Sequence, residues 1–480
     1  MSELGLLPSM SRNVVFIYLD SVRKDYFDEY APRLAALADT SFEQCRAPSG
    51  WSLPSHASLL SGTLAHQHGI SPKGQQTFEA LPLSETFLSR LPNHMKIGVS
   101  GNTFASEAFA FDQYFDDFIT YSGYKLFQRG QLRSDIVDPA IDSAIRRYAA
   151  FVRTSLSEPY PLRTLGNGVY SKVAAGRWLL SALPGVTVSG GDATRMSQTA
   201  RQLVTNTDEP YFLFMNYMDA HSPFTDENFF SEGPYDVPNE WHSDTLPTDV
   251  RITPEPFDDH QQDRDYYRDL YANSIDYLDR TLEPFIRWLV DTANHETTVV
   301  VTADHGESLG YPDDEYMIGH SNLCEAIAHV PFVVVNPPDS SPELIDEYTS
   351  HLDVGDLLVE FANDCPVPES IGRDRVFAEV LRAGGIKRSD SEDIPHLNRA
   401  VRSLWDSQTR FVWDSNGHCD EYTVDPDKPT RQTHVRSLNS PPEVEQTAFD
   451  APIGTFADID SAGIDVSETT EDRLRELGYL

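Results

Sequence analysis

The stretch GWSLPSHASLLSG, residues 50–62, gathers serine and histidine side chains that could do chemistry around one proline. Pro54 fits the first turn of a helix, where its missing N–H costs nothing, and Gly62 suits the C-terminal end. Ser52 is therefore expected at or just before a helix N-terminus. The free N–H groups and the dipole of that terminus would stabilise an alkoxide or a bound oxyanion. A simple helix cap is the alternative role for Ser52.

Five short apolar runs predict the buried strands of a mostly parallel sheet, at residues 13–19, 96–100, 211–218, 297–303 and 330–335. Helical patterns at 31–42 and 264–293 lie between them, which predicts one large α/β domain. Polar residues follow the first four strands, namely Asp20, Asn102, Asp219 with His221, and Asp304 with His305. Ligands of open α/β sheets bind outside the carboxyl ends of the strands, so we expect an active site at this edge.

Three of these residues could hold a metal ion. Asp20, Asp304 and His305 offer two carboxylates and an imidazole, a reasonable set for one divalent cation. A hydroxyl that binds a cation has a lowered pKa. If Ser52 Oγ completes the coordination shell, Ser52 becomes an activated nucleophile beside a helix N-terminus.

Histidines are the candidates for handling the substrate. His56 lies four residues after Ser52, on the same helical face, and could contact the oxyanion or the nucleophile. His221, in MDAHSPF, and His320, in GHSN, could bind ester oxygens or protonate the leaving alcohol. A satisfied structural histidine is the alternative for each. A loop role is expected for His66 and His68.

The composition excludes some classes of partner. The net charge is −38 in 480 residues, which argues against a nucleic-acid binder, since phosphate backbones are bound by basic surfaces. Seven lysines stand against thirty arginines, and this acidic, lysine-poor composition indicates a protein of a salt-rich cytoplasm; an ordinary acidic enzyme is the alternative. The four cysteines show no metal or disulfide spacing, and no leader or transmembrane run is visible. We expect a soluble, cytoplasmic protein.

The chain is predicted to divide into a catalytic domain, residues 1–340, and a small C-terminal subdomain, residues 341–480. Residues 121–200 interrupt the first part with two amphipathic patterns, at 141–156 and 170–185, which carry basic residues. This helical insertion could be an ordinary appendage, a lid, or a surface for an amphiphilic or lipid-linked substrate. In the second part, 399–405 and the hairpin pattern 409–429 predict a small antiparallel sheet. A loose linker at 430–466 and a terminal helix at 470–480 should follow.

Several motifs, in the same order, resemble those of the sulfatases of the alkaline-phosphatase superfamily, over nearly the whole chain. NVVFIYLDSVRKD resembles the strand that bears the first metal aspartate, and SLPSHASLLSG resembles the signature C/S-x-P-S-R-x-x-L-x-T-G. YFLFMNYMDAHSPF, TADHGESLG, LCEAIAHVPFVVV, DEYTVDPDKP and LRELGYL resemble later family segments. The resemblance implies an α/β sandwich with a small antiparallel C-terminal domain. It also implies metal ligation by Asp20, Asp304 and His305, with Ser52 at the position that many sulfatases convert to formylglycine.

Departures from the family pattern bear on which substrate and which metal ion the protein binds. His56 replaces the signature arginine, and Ser21 replaces the second aspartate of the usual pair. Asn102 is the polar residue left where many sulfatases have G-K-W-H, and His320 falls near the usual sulfate-binding lysine. His305 replaces the common asparagine. The family binds Ca²⁺, whereas this nitrogen ligand also admits Mn²⁺ or Zn²⁺.

Three hypotheses of function follow. The first is a metal-dependent hydrolase that cleaves a sulfate ester, on a sugar or glycoconjugate, through Ser52 or its formylglycine form. The second is the same machinery acting on phosphorus through unmodified Ser52, as in phosphodiester and phosphonate monoester hydrolases or phosphoglycerol-type transferases. The third is an inactive relative that binds sulfated or phosphorylated glycans. The retained residues argue against it, namely Asp20, Ser52, Asp304 and His305. The expected partners of either enzyme are small-molecule or glycoconjugate esters.

Overall fold

A large mixed sheet forms the centre of the protein. The computed structural model describes residues 11–71, 76–122, 125–137, 141, 143–174, 192–224, 232–247, 250–251, 260–320, 322–381, 399–443, 449, 451–456, 470–471 and 474. The sheet has eight strands in the order β10-β2-β9-β6-β1-β5-β3-β4. Strand β9 runs antiparallel to both neighbours, and the other pairs are parallel. Its strands are β1 Asn13–Leu19, β2 Thr40–Arg46, β3 Met95–Ser100, β4 Asp117–Thr120, β5 Tyr211–Tyr217, β6 Thr297–Thr302, β9 Phe332–Val335 and β10 Leu344–Ser350. The short strands β7 Ser308–Leu309 and β8 Ile318–Gly319 form a separate two-stranded sheet.

The five predicted strands are confirmed as β1, β3, β5, β6 and β9, within a residue or two at their ends. Near-continuous apolar sequence identifies them because both faces are buried; every residue of β1, β5 and β6 is buried. Strand β2 was not expected, since residues 40–42 fall inside the predicted helix 31–42. Only Pro32–Leu37 is helical there. Strand β2 has polar residues on one face and is fixed by pairing with β9 and β10, which are remote in sequence.

Helices cover both faces of the sheet. The predicted helix 264–293 is confirmed as α9, which contacts α1, α2 and α8, and the pattern 141–156 contains helix α6. The helices are α1 Lys24–Tyr30, α2 Pro32–Leu37, α3 Ser52–Ser61, α4 Ala65–His68, α5 Arg133–Ile136, α6 Ala144–Ser155, α7 Pro161–Ala174, α8 Asp192–Val204, α9 Gln261–Thr292, α10 Glu325–Ala328 and α11 His351–Ala362. In the described part of the chain, no helix combines the length and the apolar character needed to cross a bilayer.

The helical insertion is present between β4 and β5 and includes α5 to α8. Its second predicted pattern, 170–185, overlaps the end of α7, while residues 175–185 lie outside the described residues. The insertion leaves the sheet at the carboxyl end of β4 and returns through α8 to the start of β5. The two ends of the insertion are therefore attached to neighbouring parts of the sheet, at β4 and β5.

A second, five-stranded antiparallel sheet forms the C-terminal part, in the order β11-β12-β13-β14-β15. The predicted hairpin is confirmed as β13 and β14, and the segment before it as β12. The prediction of a loose linker over 430–466 is wrong for 432–437, which pairs with β14 as strand β15. Most of the predicted terminal helix 470–480 lies outside the described residues. The strands are β11 Arg375–Val380, β12 Val401–Asp406, β13 Thr409–Asp414, β14 Cys419–Val424 and β15 Gln432–Ser437.

The large sheet continues past the predicted boundary at residue 340. Strand β10, Leu344–Ser350, pairs in parallel with β2, and helix α11 packs against α3. The apolar pattern of the sequence weakens near residue 340 because β10 is an edge strand with exposed positions, although it still belongs to the large sheet. The C-terminal sheet is held to it by buried polar contacts such as Glu325 with Arg46 and Trp405.

Candidate active site

The order of the strands brings the predicted polar residues to one edge. Strands β6, β1, β5 and β3 are consecutive neighbours and parallel, so their carboxyl ends meet at the same place. Asp304, Asp20, His221 and Asn102 follow these strands and are all buried. Asp219 is at the same edge but accepts a hydrogen bond from the N–H of Ala193 at the start of α8. The predicted convergence at this edge is therefore present in the structure.

The Asp20 carboxylate is held by several donors. Its Oδ2 accepts hydrogen bonds from Asn102 Nδ2 at 2.6 Å, from Ser52 Oγ at 3.4 Å and from Asn216 Nδ2 at 3.5 Å. Its Oδ1 accepts one from Ser21 Oγ at 3.1 Å. Asn102, the residue expected to contact the substrate, donates its amide N–H to this carboxylate and helps to orient it.

Ser21 connects the two acids of the site. Its backbone has a φ of 63°, a left-handed conformation that is uncommon for residues other than glycine. In this conformation its N–H donates to Asp304 Oδ1 at 3.2 Å, while its hydroxyl donates to Asp20. The Tyr271 hydroxyl fixes the turn by donating to the Ser21 carbonyl and accepting from the N–H of Arg23. The residue that replaces the family's second aspartate therefore positions both carboxylates.

Asp20, Asp304 and His305 form a candidate metal site, since one ligand atom from each lies within 4.8 Å of the others. His305 donates through Nδ1 to the Gly306 carbonyl at 2.8 Å, which turns its Nε2 toward the cluster. Asp304 Oδ2 and His305 Nε2 are buried and have no hydrogen-bond partner among the described residues. Buried acceptors without donors are costly, and a divalent cation would satisfy both atoms. The side chains present therefore fit such an ion.

The two carboxylates have opposite pKa shifts. Burial raises the pKa of Asp304, as does the negative charge of Asp20, and the result is about 8. Burial also raises the pKa of Asp20, but the charges of His221 and His305 and the hydrogen bond from Asn102 bring the net pKa below its usual value. Groups whose environments separate their pKa values in this way are characteristic of functional sites.

Ser52 begins helix α3, as predicted, and Gly62 ends it with a left-handed φ of 68°. The residue that precedes the helix is Trp51, and no side chain caps the N-terminus. Ser52 instead directs its hydroxyl at Asp20 Oδ2, so the capping explanation does not hold. A buried hydroxyl at a helix N-terminus, next to two acids, is in the setting that nucleophilic serines require.

His56 lies one turn further along α3 and is completely buried. One ring nitrogen, Nδ1, is 2.6 Å from the Ser52 carbonyl, and the other is 3.0 Å from Asn216 Oδ1. Asn216 in turn donates to Asp20. His56 thus contacts the backbone of the candidate nucleophile rather than its hydroxyl, and connects it through Asn216 to the metal-site carboxylate.

His221 and His320 lie together on the other side of the cluster. The His320 ring centroid is 5.1 Å from that of His305 and 5.5 Å from that of His221. His320 Nδ1 is 3.5 Å from Glu307 Oε2, whose other oxygen accepts from Tyr267 at 2.8 Å. Burial lowers the pKa of His320, and the charges of His305 and His221 lower it further. Three imidazoles therefore face one small region beside the acids.

His66 and His68 belong to the short helix α4 that follows α3, where a loop was expected, and both have structural contacts. The Glu379 carboxylate of β11 accepts from the backbone N–H of His66 at 2.7 Å and lies 2.9 Å from His66 Nδ1, which attaches α4 to the C-terminal sheet. His68 Nε2 lies 3.1 Å from Ser58 Oγ of α3.

Asn216 and Glu307 were missed by the sequence reasoning, and Ser21 was named there only as a departure from the family pattern. Asn216 is the one polar residue inside the apolar run YFLFMNYM, and a buried strand rarely carries an amide without a partner. Glu307 stands two residues after His305, at the same strand end. Both residues stand out in the sequence, but the residues that they contact are remote in sequence. The supporting contacts of Ser21 could not be predicted, because they depend on the conformation of one turn.

Residues 12–363 match the family described as Sulfatase. The match covers well over half of the sequence, and the chain belongs to the sulfatase family. The expected fold is confirmed as well: a large, mostly parallel sheet with helices, and a small antiparallel C-terminal domain.

Known proteins with similar sequence or structure are distant. "Uncharacterized sulfatase YidJ" of Escherichia coli (strain K12) is 23% identical over 205 residues, which span 41% of this chain and 40% of that protein. The phosphonate monoester hydrolase of Agrobacterium radiobacter is 18% identical, with a TM-score of 0.56, over 87% of this chain and 90% of its own. BT4656, solved with D-glucosamine-2-N,6-O-disulfate, is 14% identical, with a TM-score of 0.52, over 86% and 91%.

Proposed function

We propose that the protein is a metal-dependent hydrolase that cleaves sulfate esters on a sugar or glycoconjugate through Ser52 or its formylglycine form. The observation that carries this proposal is the placement of Ser52 Oγ, 3.4 Å from Asp20 Oδ2, at the start of α3 and beside the candidate metal site. Membership of the sulfatase family supports the reaction class. The sulfated sugar bound to BT4656 supports the substrate class.

Asp20, Asp304 and His305 would hold the cation. When bound, a divalent cation neutralises charge on the transferred group and lowers the pKa of the nearby hydroxyl. The family expectation is Ca²⁺, and the nitrogen of His305 also suits Mn²⁺ or Zn²⁺. Asn102 and Ser21 keep the carboxylates in place through the hydrogen bonds described above.

Ser52 Oγ attacks the sulfur, and the bond from sulfur to the ester oxygen breaks. The hydroxyl proton moves toward Asp20 Oδ2, the acceptor that already faces it. His221 and His320 are assigned to binding the ester oxygens, and His221 to protonating the leaving alcohol, because burial lowers the pKa of His320 and keeps its ring neutral. Water then cleaves the covalent seryl ester and releases inorganic sulfate. The N-terminal N–H groups of α3 are available to stabilise the oxyanion that develops in both steps.

Phosphorus is the second candidate centre of attack, with unmodified Ser52 forming a phosphoseryl intermediate. His56 replaces the arginine of the sulfatase signature, and its ring is fully engaged with the Ser52 carbonyl and Asn216. The arginine that helps to hold the formylglycine in the family is thus absent, which favours a reaction through unmodified Ser52. The structural likeness to the phosphonate monoester hydrolase of Agrobacterium radiobacter is consistent with this alternative.

Steady-state assays of the chelator-treated protein with an aryl sulfate and an aryl phosphonate monoester, each with added Ca²⁺ or Mn²⁺, test the proposal. We expect faster turnover of the sulfate, and intact-mass analysis shows whether Ser52 has lost a hydrogen molecule on conversion to formylglycine. A faster reaction with the phosphonate, together with a phosphoryl adduct on unmodified Ser52, would establish the second candidate. Hydrolysis of neither substrate would contradict both and favour a binding protein for sulfated or phosphorylated glycans.

A further inference from the structure

Helices α6 and α7 present a surface unlike the rest of the described molecule. Its apolar members are exposed: Ile145 by 82%, Leu162 by 81% and Val169 by 67%, with Val152 and Leu156 also exposed. Exposed arginines lie beside them at positions 146, 153 and 163. We call these eight residues the insertion face. Large aliphatic side chains gathered in water usually mark an interaction site.

The exposed side chains are not needed to hold the two helices together. Ile145, Val152 and Leu156 recur at a spacing of seven and four residues, so they share one side of α6. Phe151 lies on another side, is buried, and packs against Gly168 of α7, where an added Cβ would lie 2.3 Å from its ring. The hairpin is therefore built through Phe151 and Gly168, and its outer apolar side is exposed in the part of the chain that the structure describes.

The charge of the hairpin is opposite to that of the whole protein. Residues 144–174 contain five basic residues and one acidic residue, whereas the chain has a net charge of −38. Within the described part of the chain, Arg146 and Arg153 form no ion pair. A local positive charge next to exposed aliphatic side chains complements a surface that is anionic outside and apolar beneath.

The insertion face belongs to the side of the sheet that carries the active site. The insertion begins after β4, which runs parallel to β3, and ends in α8, whose first turn is bound by Asp219 at the end of β5. Both attachments are at the carboxyl edge of the sheet, where Asp20 and Asp304 also lie. A surface bound by this face would therefore be on the substrate side of the sheet.

We propose that the insertion face binds the surface of an anionic lipid bilayer. A second copy of the chain fits the same observations less well, because a symmetric contact would bring the arginines of both faces together. The apolar side chains are suited to the boundary between headgroups and acyl chains, and the arginines to lipid phosphates. This proposal concerns docking alone and does not depend on which ester the active site cleaves.

Co-flotation of the full-length protein with vesicles tests the proposal. Vesicles of phosphatidylglycerol mixed with phosphatidylcholine should carry the wild-type protein, and pure phosphatidylcholine should carry at least several-fold less. The double variant Leu162→Ser/Val169→Ser and the double variant Arg146→Glu/Arg153→Glu should each lose most of the binding. Val435→Ser is the matched control, because Val435 is an exposed aliphatic residue of the C-terminal sheet and should leave binding unchanged. Equal melting temperatures would show that the variants remain folded.

The salt dependence of flotation separates the contribution of the arginines from that of the apolar side chains. The Debye length falls from about 10 Å at 0.1 M salt to about 3 Å at 1 M. The loss caused by Arg146→Glu/Arg153→Glu should therefore shrink at high salt, whereas the loss caused by Leu162→Ser/Val169→Ser should persist. Flotation that does not change with salt concentration and persists in both double variants would overturn the proposal.

Two further measurements are decisive. Absence of flotation by the wild-type protein with anionic vesicles at any of these salt concentrations would overturn the proposal. So would a dimer in sedimentation equilibrium that Leu162→Ser/Val169→Ser dissociates, since the face would then bind a second copy. Ser52→Ala should float like the wild type, which distinguishes a failure of docking from a failure of the proposed catalysis.

Discussion

Asp304 and Glu325 are both buried carboxylates, but their surroundings shift their pKa values in opposite directions. Both oxygens of Glu325 meet a donor: Arg46 Nη2 at 2.5 Å and Trp405 Nε1 at 2.5 Å. Burial raises the pKa of Glu325, but the charge of Arg46, together with His329 and the Trp405 hydrogen bond, outweighs burial and brings the pKa to about 2. The Asp304 pKa is raised to about 8, and its Oδ2 has no hydrogen-bond partner among the described residues.

Glu325 has the surroundings of a structural acid, whereas Asp304 has those expected of a metal ligand. Arg46 of the same chain provides the positive charge that pairs with Glu325. The Glu325 side chain therefore needs no ligand and helps to join the two sheets. Asp304 lies beside Asp20 and the unpaired Nε2 of His305, so its environment becomes favourable only with a cation from outside the chain. Unsatisfied acceptors, rather than burial or charge alone, indicate where the ligand binds.

The largest expected effect is on catalysis, from Ser52→Ala. Removal of a nucleophile lowers turnover by a factor on the order of 10⁴ to 10⁶. The fold should persist, because no side chain caps α3 and Ser52 makes no capping contact to lose. Turnover and thermal unfolding of the purified variant check this. Near-normal turnover would remove Ser52 from the mechanism, and Ser55→Ala in the same helix is the control.

Glu325→Gln should reduce stability rather than chemistry. Breaking a buried ion pair from one side costs about 3–5 kcal/mol, because Arg46 is left without its partner. Denaturant unfolding at neutral pH measures this loss, and turnover per folded molecule should stay near that of the wild type. Glu421→Gln, which breaks the partly exposed pair with Arg436, is the matched control and should cost less than about 1 kcal/mol.

Acidification should remove the difference in the free energy of unfolding between Glu325→Gln and the wild type. The pKa of Glu325 is lowered from 4.5 to about 2 in the folded protein. Its contribution is therefore complete above the unfolded value and is lost as the pH falls toward the folded one. A stability difference that stayed constant between pH 7 and pH 2 would contradict the assigned ion pair.

Asn102→Ala tests whether this residue holds the metal site or binds substrate. Its amide donates to Asp20 at 2.6 Å, and the loss of such a supporting contact lowers metal affinity about 10- to 100-fold. Metal titration measures the affinity, and Asn206→Ala on the exposed end of α8 is the control. A raised KM with unchanged metal affinity would show that Asn102 contacts the substrate instead.

Gly62→Ala should produce the smallest effect. Gly62 has a φ of 68°, and the left-handed conformation costs a residue with a Cβ about 1–2 kcal/mol. The new methyl group would also lie 3.2 Å from the Leu352 carbonyl oxygen. Thermal unfolding should show this loss, whereas Gly454→Ala, where no atom lies within 4 Å, should be nearly neutral. Equal stability of both variants would contradict the assigned end of α3.

Sequence patterns predicted the parts of this molecule that depend on local order. The buried strands and the residues that follow them could be read directly, because parallel sheets require apolar runs and place strand ends at one edge. Strand β15 was missed because its sequence is polar and almost entirely exposed, without the apolar positions that mark a buried strand. Strand β2 was missed because its partners, β9 and β10, are remote in sequence. The same limit applies inside the site: Ser52 and Asp20 were predicted, whereas the contacts of Asn216 and Ser21 depend on how segments far apart meet.

Metal titration of wild-type protein and Asp304→Asn tests the central claim most directly. Calorimetry with Mn²⁺ on chelator-treated protein should show one site in the wild type and a loss of most of its affinity in Asp304→Asn. Asp219→Asn makes the same change at the same edge of the sheet, outside the cluster, and should bind like the wild type. Equal binding by Asp304→Asn and the wild type would contradict the assignment of Asp20, Asp304 and His305 as the metal site.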